Sequence, residues 1–350
     1  MVSASIVVLS WNGAEVLPRT LPRLLQAVQA DGGDHEVVVV DNGSTDATDA
    51  ALAPYGSSLR IVRLETNAGV AGGFNAGLRH CSREVVVTLA NDMLVDVGFL
   101  PPLLHNFAGP QVFAVSSKRL TAAGTVLHGQ LRYGFDAHGL FDIIRPGLLQ
   151  PDGPAVGART ATWYAPWANA AWRRDALESL GGFEERFGGA LSWWAEADPS
   201  YRAWKRGWWV FFQPNSVVHH LDVQTGWRGF SAEEGDFWFK EGLLFFAWVG
   251  LTDREPLTRH LDALPGLVQC GEPWAAAYLQ AARMLLEEGL DPQTAAARVA
   301  ALPPAPPGRS AWPRALASMV GKLPWVVERR LRDRPFQQRT DAEVFGIVHR

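Results

Sequence analysis

Cysteine is scarce in this sequence, and its scarcity removes several kinds of site. The 350 residues contain two cysteines, Cys81 and Cys270. Neither lies in a CxxC pair or at a cysteine–histidine spacing typical of a zinc site. Structural zinc and dithiol redox chemistry therefore have no support, and a reducing cytosol is the compartment that fits best.

Long apolar runs and an excess of basic charge are also missing. The nearest approach to a membrane span, residues 242–251, is about half of the roughly 20 residues required. The amino terminus passes directly into a strand-like pattern, without the basic region, apolar run and cleavage site of a signal peptide. A net charge of −4 argues against a general nucleic-acid surface. We expect a cytoplasmic protein without a membrane span or a nucleic-acid partner.

Short apolar runs separated by helical patterns dominate the amino-terminal part of the chain. The four runs are residues 5–10, 36–40, 59–64 and 85–89. Because strand and helix alternate, the pattern predicts a parallel sheet with right-handed crossovers. A hydrophobic content of 47% is ample for a core. The length suits one large α/β domain with an appendage, or two domains.

Acidic residues stand where two of these predicted strands end. Asp41 follows the second run, and the triplet Ala90-Asn91-Asp92 follows the fourth. Ligands of open α/β sheets bind at the carboxyl ends of the strands, where Asp92 is placed to hold a divalent cation against a phosphate. Asp41 can accept a hydrogen bond from the imide N–H of uracil or thymine. The alternatives are that Asp41 caps a helix and that Asn91-Asp92 only forms a turn.

A glycine-rich stretch, residues 67–77, is predicted as a loop that runs into a helix. Its missing side chains allow close approach of a diphosphate or ribose, with Asn67, Gly69 and Asn75 as contacts. The stretch matches neither the GxGxxG nor the P-loop spacing, so a dinucleotide enzyme or an ATPase has no direct support. The alternative is tight packing of a helix against the sheet.

The rest of the chain is predicted to be largely helical, with further strands and a basic carboxyl-terminal tail. Helices are expected over 172–180 and 192–206, and strands over 208–212 and 216–218. Further helical patterns cover 237–249, 274–288 and 291–301, before a proline-rich linker at 303–307. The tail holds Lys322, Arg329, Arg330, Arg332 and Arg334. It suits either peripheral contact with an anionic membrane, or an oligomer contact or solvated helix.

Taken together, the motifs resemble those of family 2 glycosyltransferases with the GT-A fold, in particular rhamnosyltransferases. The matching segments are residues 5–12, 38–46, 67–77, 90–92, 181–187, 196–202 and 214–220. The resemblance implies an α/β, Rossmann-like and mostly parallel sheet flanked by helices, with a carboxyl-terminal helical extension. The implied domains are a catalytic domain over 1–230, an extension over 231–302, and a linker with the basic tail over 303–350. The catalytic domain divides into a nucleotide-sugar half, 1–108, and an acceptor half, 109–230.

The resemblance also implies roles for single residues of the nucleotide site. Asp41 resembles the aspartate that recognises the base, and Trp11 lies in the loop beside the nucleotide. Asp92 resembles the last acid of the metal-binding DxD triplet, with Asn91 in the same triplet. His220, or alternatively His219, fits the late histidine near the metal and diphosphate. The implied metal is Mg²⁺ or Mn²⁺, with the nucleotide-sugar as co-substrate.

The predicted acceptor side lies further along the chain. By resemblance, Glu196 is the catalytic base, and Asp198 and Arg202 support it. Trp193 and Trp194 precede this base, and because indole faces stack on sugar C–H surfaces we predict that they contact the acceptor together with Arg202. The alternative for these tryptophans is core packing.

The predicted function is inverting, metal-dependent transfer from a UDP- or dTDP-sugar, dTDP-rhamnose being one candidate. The acceptor would be a hydroxyl of a growing cell-surface glycan, free or lipid-linked, and a homo-oligomer is compatible with the sequence. Two positions depart from the family, since Ala90 and Ala195 replace usual acids. The ion would then be held mainly by Asp92, the diphosphate and water. A non-catalytic sugar-nucleotide or glycan-binding module of the same fold stays open as the alternative.

Overall fold

The computed structural model describes two compact units, and each is considered by itself. The described residues are 2–128, 132–135, 141–144, 159–186, 193–221, 231–268, 273–289, 291–305 and 310–348. The first unit, here called the sheet unit, comprises Met1–Leu131, Arg145–Glu185 and Trp208–Arg228. The second, the helical unit, comprises Arg132–Ile144, Arg186–Gly207 and Gly229–Arg350. Residues 186–207, which the sequence assigned to the acceptor half, thus belong with the carboxyl-terminal helices.

The sheet unit is built on one mixed sheet. Its strands are β1 (Ala4–Ser10), β2 (Glu36–Asp41), β3 (Arg60–Arg63), β4 (Val85–Ala90), β5 (Met93–Val95), β6 (Val112–Thr121), β7 (Val126–His128), β10 (Thr160–Ala161), β11 (Asn169–Arg173) and β12 (Trp209–His220). The main order is β10-β12-β6-β11-β4-β1-β2-β3, with β5 paired to β12 and β7 to β6. Strands β3, β2, β1 and β4 are mutually parallel, whereas β11 runs antiparallel to β4 and β6. The predicted GT-A-type α/β architecture is confirmed.

Apolar β-branched residues explain the centre of this sheet. Val7, Val39 and Val87 on three adjacent strands are fully buried, as expected for parallel strands covered by helices on both faces. The helices are α1 (Leu17–Asp31), α2 (Thr48–Leu52), α3 (Gly69–Leu78), α4 (Leu100–Leu104) and α5 (Arg174–Ser179). In α1, Pro18 occupies the first turn, where a missing N–H costs nothing.

Three predicted elements of the sheet unit are corrected. Trp172 belongs to strand β11 instead of a helix, because its backbone pairs between β4 and β6. The predicted strands 208–212 and 216–218 form one strand, β12, with an irregularity between Gln213 and Val217. The glycine-rich stretch is helical from Gly69 onwards, so the predicted loop is limited to its first residues.

The helical unit contains a hairpin, β8 (Arg132–Phe135) and β9 (Phe141–Ile144), and a set of helices. The helices are α6 (Trp193–Lys205), α7 (Ala232–Gly250), α8 (Arg254–Leu267), α9 (Pro273–Glu288), α10 (Pro292–Ala300), α11 (Ala311–Gly321), α12 (Leu323–Asp333) and α13 (Asp341–Val348). A capping box of Ser231 and Glu234 starts α7, and Asp291 caps α10. Within the described ranges, no helix combines the length and apolarity that a bilayer crossing requires.

The basic tail is largely folded into the helical unit. Lys322 pairs with buried Glu241 at 2.7 Å. Arg330 donates to the carbonyl oxygens of Trp248 and Leu251 at the end of α7, and burial lowers its pKa to about 10. Arg329 is buried as well. These three cations serve internal contacts, and the predicted membrane contact stays a prediction.

Candidate active site

The carboxyl ends of β2, β1 and β4 lie side by side at one edge of the sheet. Ser10 is in register with Asp41, and Leu9 with Ala90. Since neighbouring strands are about 4.8 Å apart, the ends of β2 and β4 are separated by roughly 10 Å across β1. Asp41 ends β2, and Asp92 follows β4 by two residues. The fold thus brings both predicted nucleotide-binding carboxylates to the same edge.

Asp41 closes a turn instead of capping a helix. Its Oδ1 accepts a hydrogen bond from the Ser44 N–H at 3.0 Å, while the nearest helix begins only at Thr48. Asp41 is buried, and among the described residues only its Oδ1 is engaged. The helix-cap alternative is therefore wrong, and one carboxylate oxygen is left for a ligand.

Asp92 and His220 meet through the pairing of β5 with β12. His220 is in register with Met93, and its Nε2 lies 3.2 Å from Asp92 Oδ2. The N–H of Leu221 donates to the carbonyl oxygen of Asp92, which fixes the approach of the two chain segments. His219 instead contacts Asp96 at 3.2 Å. Of the two candidate histidines, His220 is the one placed beside Asp92.

The other oxygen of Asp92 carries the strongest sign of a ligand. Oδ1 is buried and has no hydrogen-bond partner in the described part of the chain. Burying such an acceptor without a partner is costly. A divalent cation bound to Asp92, with His220 beside it, would satisfy this oxygen. No cluster of three or more His, Cys, Asp or Glu occurs among the described residues, so these two side chains fit an ion whose remaining ligands come from a diphosphate and water.

Asn91 and Trp11 belong to the loops that frame the edge. Asn91 is buried, its Nδ2 donates to Ser10 Oγ at 3.1 Å, and its carbonyl oxygen accepts from Thr20 Oγ1 at 2.8 Å. Asn91 thus joins the end of β4 to the end of β1 and to α1, and its side-chain nitrogen is used in doing so. Trp11 is half-buried in the turn directly after β1.

Asn12 and Asn42 organise these loops and were not singled out from the sequence. Asn12 has φ +52°, donates its N–H to Ser44 Oγ and accepts from the Thr45 N–H. Asn42 donates to Asn67 Oδ1 and the Gly69 carbonyl oxygen, and accepts from the Ala68 N–H. The signal available was the Asn-Gly dipeptide at both positions, because asparagine tolerates positive φ and bonds to nearby backbone.

Asp46 completes the link between the first two loops. It accepts from the N–H of Ala14 and from both the N–H and the hydroxyl of Thr48. Burial acts to raise the pKa of Asp46, but these hydrogen bonds outweigh it and the net pKa is lowered. The ionised carboxylate therefore stabilises the edge loops.

Glycines of α3 pack the helix onto the sheet, which confirms the packing alternative for two of them. A Cβ at Gly73 would lie 2.4 Å from Leu9 Cδ1, and one at Gly77 would lie 2.4 Å from Val7 Cγ1. Real side chains do not approach so closely, so only glycine lets α3 rest on β1. Gly69, with φ +73°, marks the first helical residue.

Asn75 and Asn67 serve the loops more directly than they serve a ligand. Asn75 is buried, donates to the carbonyl oxygen of Phe183 and to Glu185, and accepts from the Phe183 N–H. This correction follows from geometry, since its amide group is occupied by the 183–185 turn. Asn67 is exposed, and its Oδ1 accepts from Gly69 and Asn42. The predicted nucleotide contacts of Asn67 and Gly69 stay predictions.

The predicted catalytic acids lie on α6 of the helical unit. Glu196 is half-buried in the first turn of this helix, and Asp198 is buried. Asp198 accepts two hydrogen bonds from Arg329 Nη2, at 2.8 and 3.1 Å. Asp198 is therefore a structural anion, whereas Glu196 retains exposure to solvent.

Two of the predicted acceptor contacts are corrected. Trp194 is fully buried, with its ring 5.4 Å from that of Phe246 and its Cδ1 close to Gly242 on α7. Arg202 is buried and donates to Asp333 from Nε and Nη2. Neither side chain presents a face to a sugar. The side chain of Trp193 lies outside the described residues.

Comparison with known proteins agrees with this picture. The family model described as Glycosyl transferase family 2 matches residues 5–180. The O-antigen biosynthesis protein RfbC of Myxococcus xanthus is 28% identical over 228 residues, which cover 61% of this chain and 17% of that protein. The undecaprenyl-phosphate 4-deoxy-4-formamido-L-arabinose transferase of Enterobacter sp. (strain 638) is 35% identical over 94 residues, 25% of this chain and 28% of that protein. The chain therefore spans less than a third of the length of these relatives.

The structure is also similar to a solved one. The crystal structure of GalNAc-T7 with UDP, GalNAc and Mn²⁺ superposes with a TM-score of 0.56 at 16% identity, covering 78% of this chain and 52% of that chain. At this identity the likeness concerns the fold alone. It agrees with the GT-A architecture described above.

Proposed function

Because this chain belongs to glycosyl transferase family 2, we propose that it transfers a sugar from a nucleotide-sugar to the hydroxyl of a glycan acceptor. One observation carries the proposal. The ends of β2, β1 and β4 bring Asp41 and Asp92 to one sheet edge, where a buried oxygen of Asp92 has no partner among the described residues. A diphosphate with its counter-ion supplies what this edge lacks.

The donor base is proposed to be uracil or thymine. The imide N–H of either base is a donor, and the second oxygen of Asp41 is an acceptor held in place by the Ser44 turn. Guanine also has donors, so a donor screen that includes GDP-sugars tests this preference. Among thymine donors, dTDP-rhamnose is the first to test, because the motifs resemble those of rhamnosyltransferases.

Asp92 and His220 would hold the metal ion. When bound, a divalent cation neutralises the negative charge that develops on the departing diphosphate. Asp92 keeps its carboxylate at the sheet edge through the turn after β4, and His220 is fixed by the register of β12 with β5. Both side chains are thus oriented by strands and not by a long loop.

Glu196 is proposed to act as the general base. Its carboxylate takes the proton of the acceptor hydroxyl while the acceptor oxygen forms a bond to sugar C1. The bond from C1 to the diphosphate oxygen breaks, and its electron pair leaves with the nucleoside diphosphate. Attack on the face opposite the leaving group inverts the anomeric centre. A positioned base typically contributes about 10² to 10⁴ in rate.

The acceptor is proposed to be a growing cell-surface glycan, free or linked to a lipid. Support comes from relatives whose names refer to O-antigen biosynthesis and to transfer involving undecaprenyl phosphate. Peripheral membrane contact would be compatible with a lipid-linked acceptor, and the exposed Arg332 and Arg334 are the tail cations available for it.

The decisive experiment is a donor screen by thermal stability. UDP-, dTDP- and GDP-sugars are added with and without Mn²⁺, and unfolding is followed by calorimetry. A ligand at 100 times its Kd stabilises by about 2.7 kcal/mol, so a true donor raises the midpoint only with the metal present. Preference for a GDP-sugar would overturn the role of Asp41.

The same screen addresses the non-catalytic alternative, which Ala90 and Ala195 motivate. Donors that stabilise the protein are next incubated with oligosaccharide acceptors, and released nucleoside diphosphate is measured. Binding without release across an acceptor panel, with no donor hydrolysis, would favour a sugar-nucleotide-binding module.

A further inference from the structure

Helix α6, which carries the proposed base, is attached to α12 by a buried set of charges. Asp198 accepts from Arg329 at 2.8 and 3.1 Å, and Arg202 lies 3.6 Å from the same carboxylate. Asp333 accepts from Arg202 at 2.9 Å and from Arg329 at 3.0 Å. We call these residues, with Arg206, the α6–α12 charge cluster.

The cluster is built to fix geometry. The guanidinium groups of Arg202, Arg206 and Arg329 face two carboxylates. Arg206 Nη2 donates a further hydrogen bond to Asp333, at 3.3 Å. Arg329 is 1% exposed and joins both carboxylates, through Nη2 to Asp198 and through Nε to Asp333. A planar guanidinium that bridges two acids restricts their relative position more than a lysine can, because its donors form a rigid fork.

A second ionic contact holds the carboxyl-terminal half of the same helix. Lys205 Nζ and Tyr201 Oη both donate to Asp341 Oδ1, each at 2.6 Å. Asp341 is fully buried and also accepts from the N–H groups of Thr252 and Asp253. The helix therefore has two buried charge contacts of similar kind. Arg329 contacts the helix at Asp198, two residues from Glu196, whereas Tyr201 and Lys205 are five and nine residues from Glu196.

We propose that Arg329 is a positioning residue for the transfer reaction. Through Asp198, Arg329 fixes the position of the first turn of α6. Because Glu196 belongs to that turn, its carboxylate is positioned as well. The proposal rests on the proposed function of Glu196 as base. A general base must sit within hydrogen-bond reach of its proton, and a displacement of about 1 Å can cost up to about 10²-fold in rate.

Nothing in the reaction itself requires this cation. The residue comes from α12, more than 130 positions after Asp198 in the chain, and Asp198 and the helix backbone link it to the base. A purely stabilising cluster would hold α6 equally well from either end. A positioning role predicts that the end nearest Glu196 matters for turnover and that the far end does not.

The test compares variants at the two ends. Arg329→Met and Arg329→Lys remove or weaken the near contact, while Asp341→Asn and Tyr201→Phe weaken the far one. All are assayed at a temperature at which thermal unfolding shows each variant folded. We expect kcat to fall about 10- to 100-fold for Arg329→Met, with partial rescue in Arg329→Lys, and to change less than about twofold for the far-end variants.

Donor affinity separates positioning from general damage. It is measured by calorimetry with the nucleotide-sugar and Mn²⁺, and we expect the same Kd in all variants, since the donor residues lie in the sheet unit. A kcat loss in the far-end variants equal to that in Arg329→Lys would overturn the proposal, as would an unchanged kcat in Arg329→Lys. If Arg329→Met does not fold, the comparison of Arg329→Lys with Tyr201→Phe still decides.

Failure of the proposed function would look different. Glu196→Gln is assayed in parallel, and near-normal turnover in that variant removes the base itself. An inactive Glu196→Gln together with normal Arg329 variants removes only the positioning role.

Discussion

The aspartates at the sheet edge and the buried aspartates of the helical unit serve opposite purposes in this protein. In the sheet unit, Asp41 and Asp92 lie at the sheet edge. Each has one carboxylate oxygen for which the described residues supply no hydrogen-bond donor. In the helical unit, Asp198, Asp333 and Asp341 are buried and surrounded by cations or N–H donors. In the first arrangement a carboxylate oxygen can still bind a ligand. In the second, the carboxylate oxygens already bind groups of the protein and hold its helices together. An acid identified in a sequence is therefore a site candidate only once its partners are known.

Removing the proton acceptor should give the largest effect. Glu196→Gln keeps the shape of the side chain but abolishes its basicity, so we expect kcat to fall by about 10² to 10⁴ with donor Kd unchanged. Product formation is followed by release of nucleoside diphosphate. Glu328→Gln, an exposed glutamate of the helical unit, serves as the control and should behave as wild type.

Weakening the charge cluster tests the claim that the buried aspartates of the helical unit are structural. We expect Asp333→Asn to lower the free energy of unfolding by about 3 kcal/mol at pH 7, because three guanidiniums then face a single carboxylate. The matched control is Asp262→Asn, which loses an exposed ion pair with Arg283 and should cost less than about 1 kcal/mol.

The same variant has a defined pH dependence. Burial raises the pKa of Asp333, but Arg202 and Arg329 lower it more, so the folded pKa lies below the ordinary value. Its stabilisation is thus fully present above the unfolded pKa of about 4 and is lost as the pH falls through the folded value. Denaturant titrations from pH 7 to pH 3 should show wild type and Asp333→Asn converging. A difference that stays constant would contradict the assignment.

Removing Asp92 tests whether its Oδ1, which has no hydrogen-bond partner among the described residues, binds a ligand. Asp92→Ala should weaken Mn²⁺-dependent donor binding by about 100-fold or more, since loss of outer partners alone often costs 10- to 100-fold. Asp96→Ala is the matched control, because Asp96 pairs with His219 as Asp92 pairs with His220. Calorimetry showing equal donor affinity in Asp92→Ala and wild type would count against the metal role.

The smallest expected effect concerns the support of the sheet edge. Gly77→Ala places a Cβ against Val7 and Val40 of the sheet, so we expect a loss of about 1–3 kcal/mol by overpacking. Gly235 lies in helix α7 with open space around it, and Gly235→Ala should gain about 0.5–1 kcal/mol from helix propensity. Chemical denaturation measures both, and equal signs would refute the packing argument.

Short sequence patterns were sufficient to predict the elements whose structure depends on neighbouring residues in the chain. The first four strands and the acids at their ends were predictable, because apolar β-branched runs bounded by turn residues have few other stable uses. Strand β11 was not, since its apolar residues continue directly into the helix at Arg174 and the run looks helical as a whole. Its identity depends on pairing with β4 and β6, which are far away in sequence.

The candidate site divides in the same way. Asp41 and Asp92 were identified from residue type and their position at strand ends, and Glu196 was identified from the family resemblance. The contact of His220 with Asp92 required the register of β12 against β5, because a shift by one residue would turn His219 toward Asp92. The burial of Trp194 and Arg202 could not be predicted from the sequence either, because the pattern of an amphipathic helix does not identify the element that packs against it.

By itself, the sequence determined the family, through the resemblance of its motifs, and the α/β architecture of the sheet unit with the acids delivered to the sheet edge. The architecture and the placement of the acids follow from hydrophobic period and turn chemistry, which act over a few residues. Only the tertiary structure decided which charged side chains are paired with other residues of the protein. Arg329 reads as part of a basic tail, and it becomes a buried partner of Asp198 because α12 packs on α6. Long-range packing sets the partners of a charge, and those partners separate a site from a support.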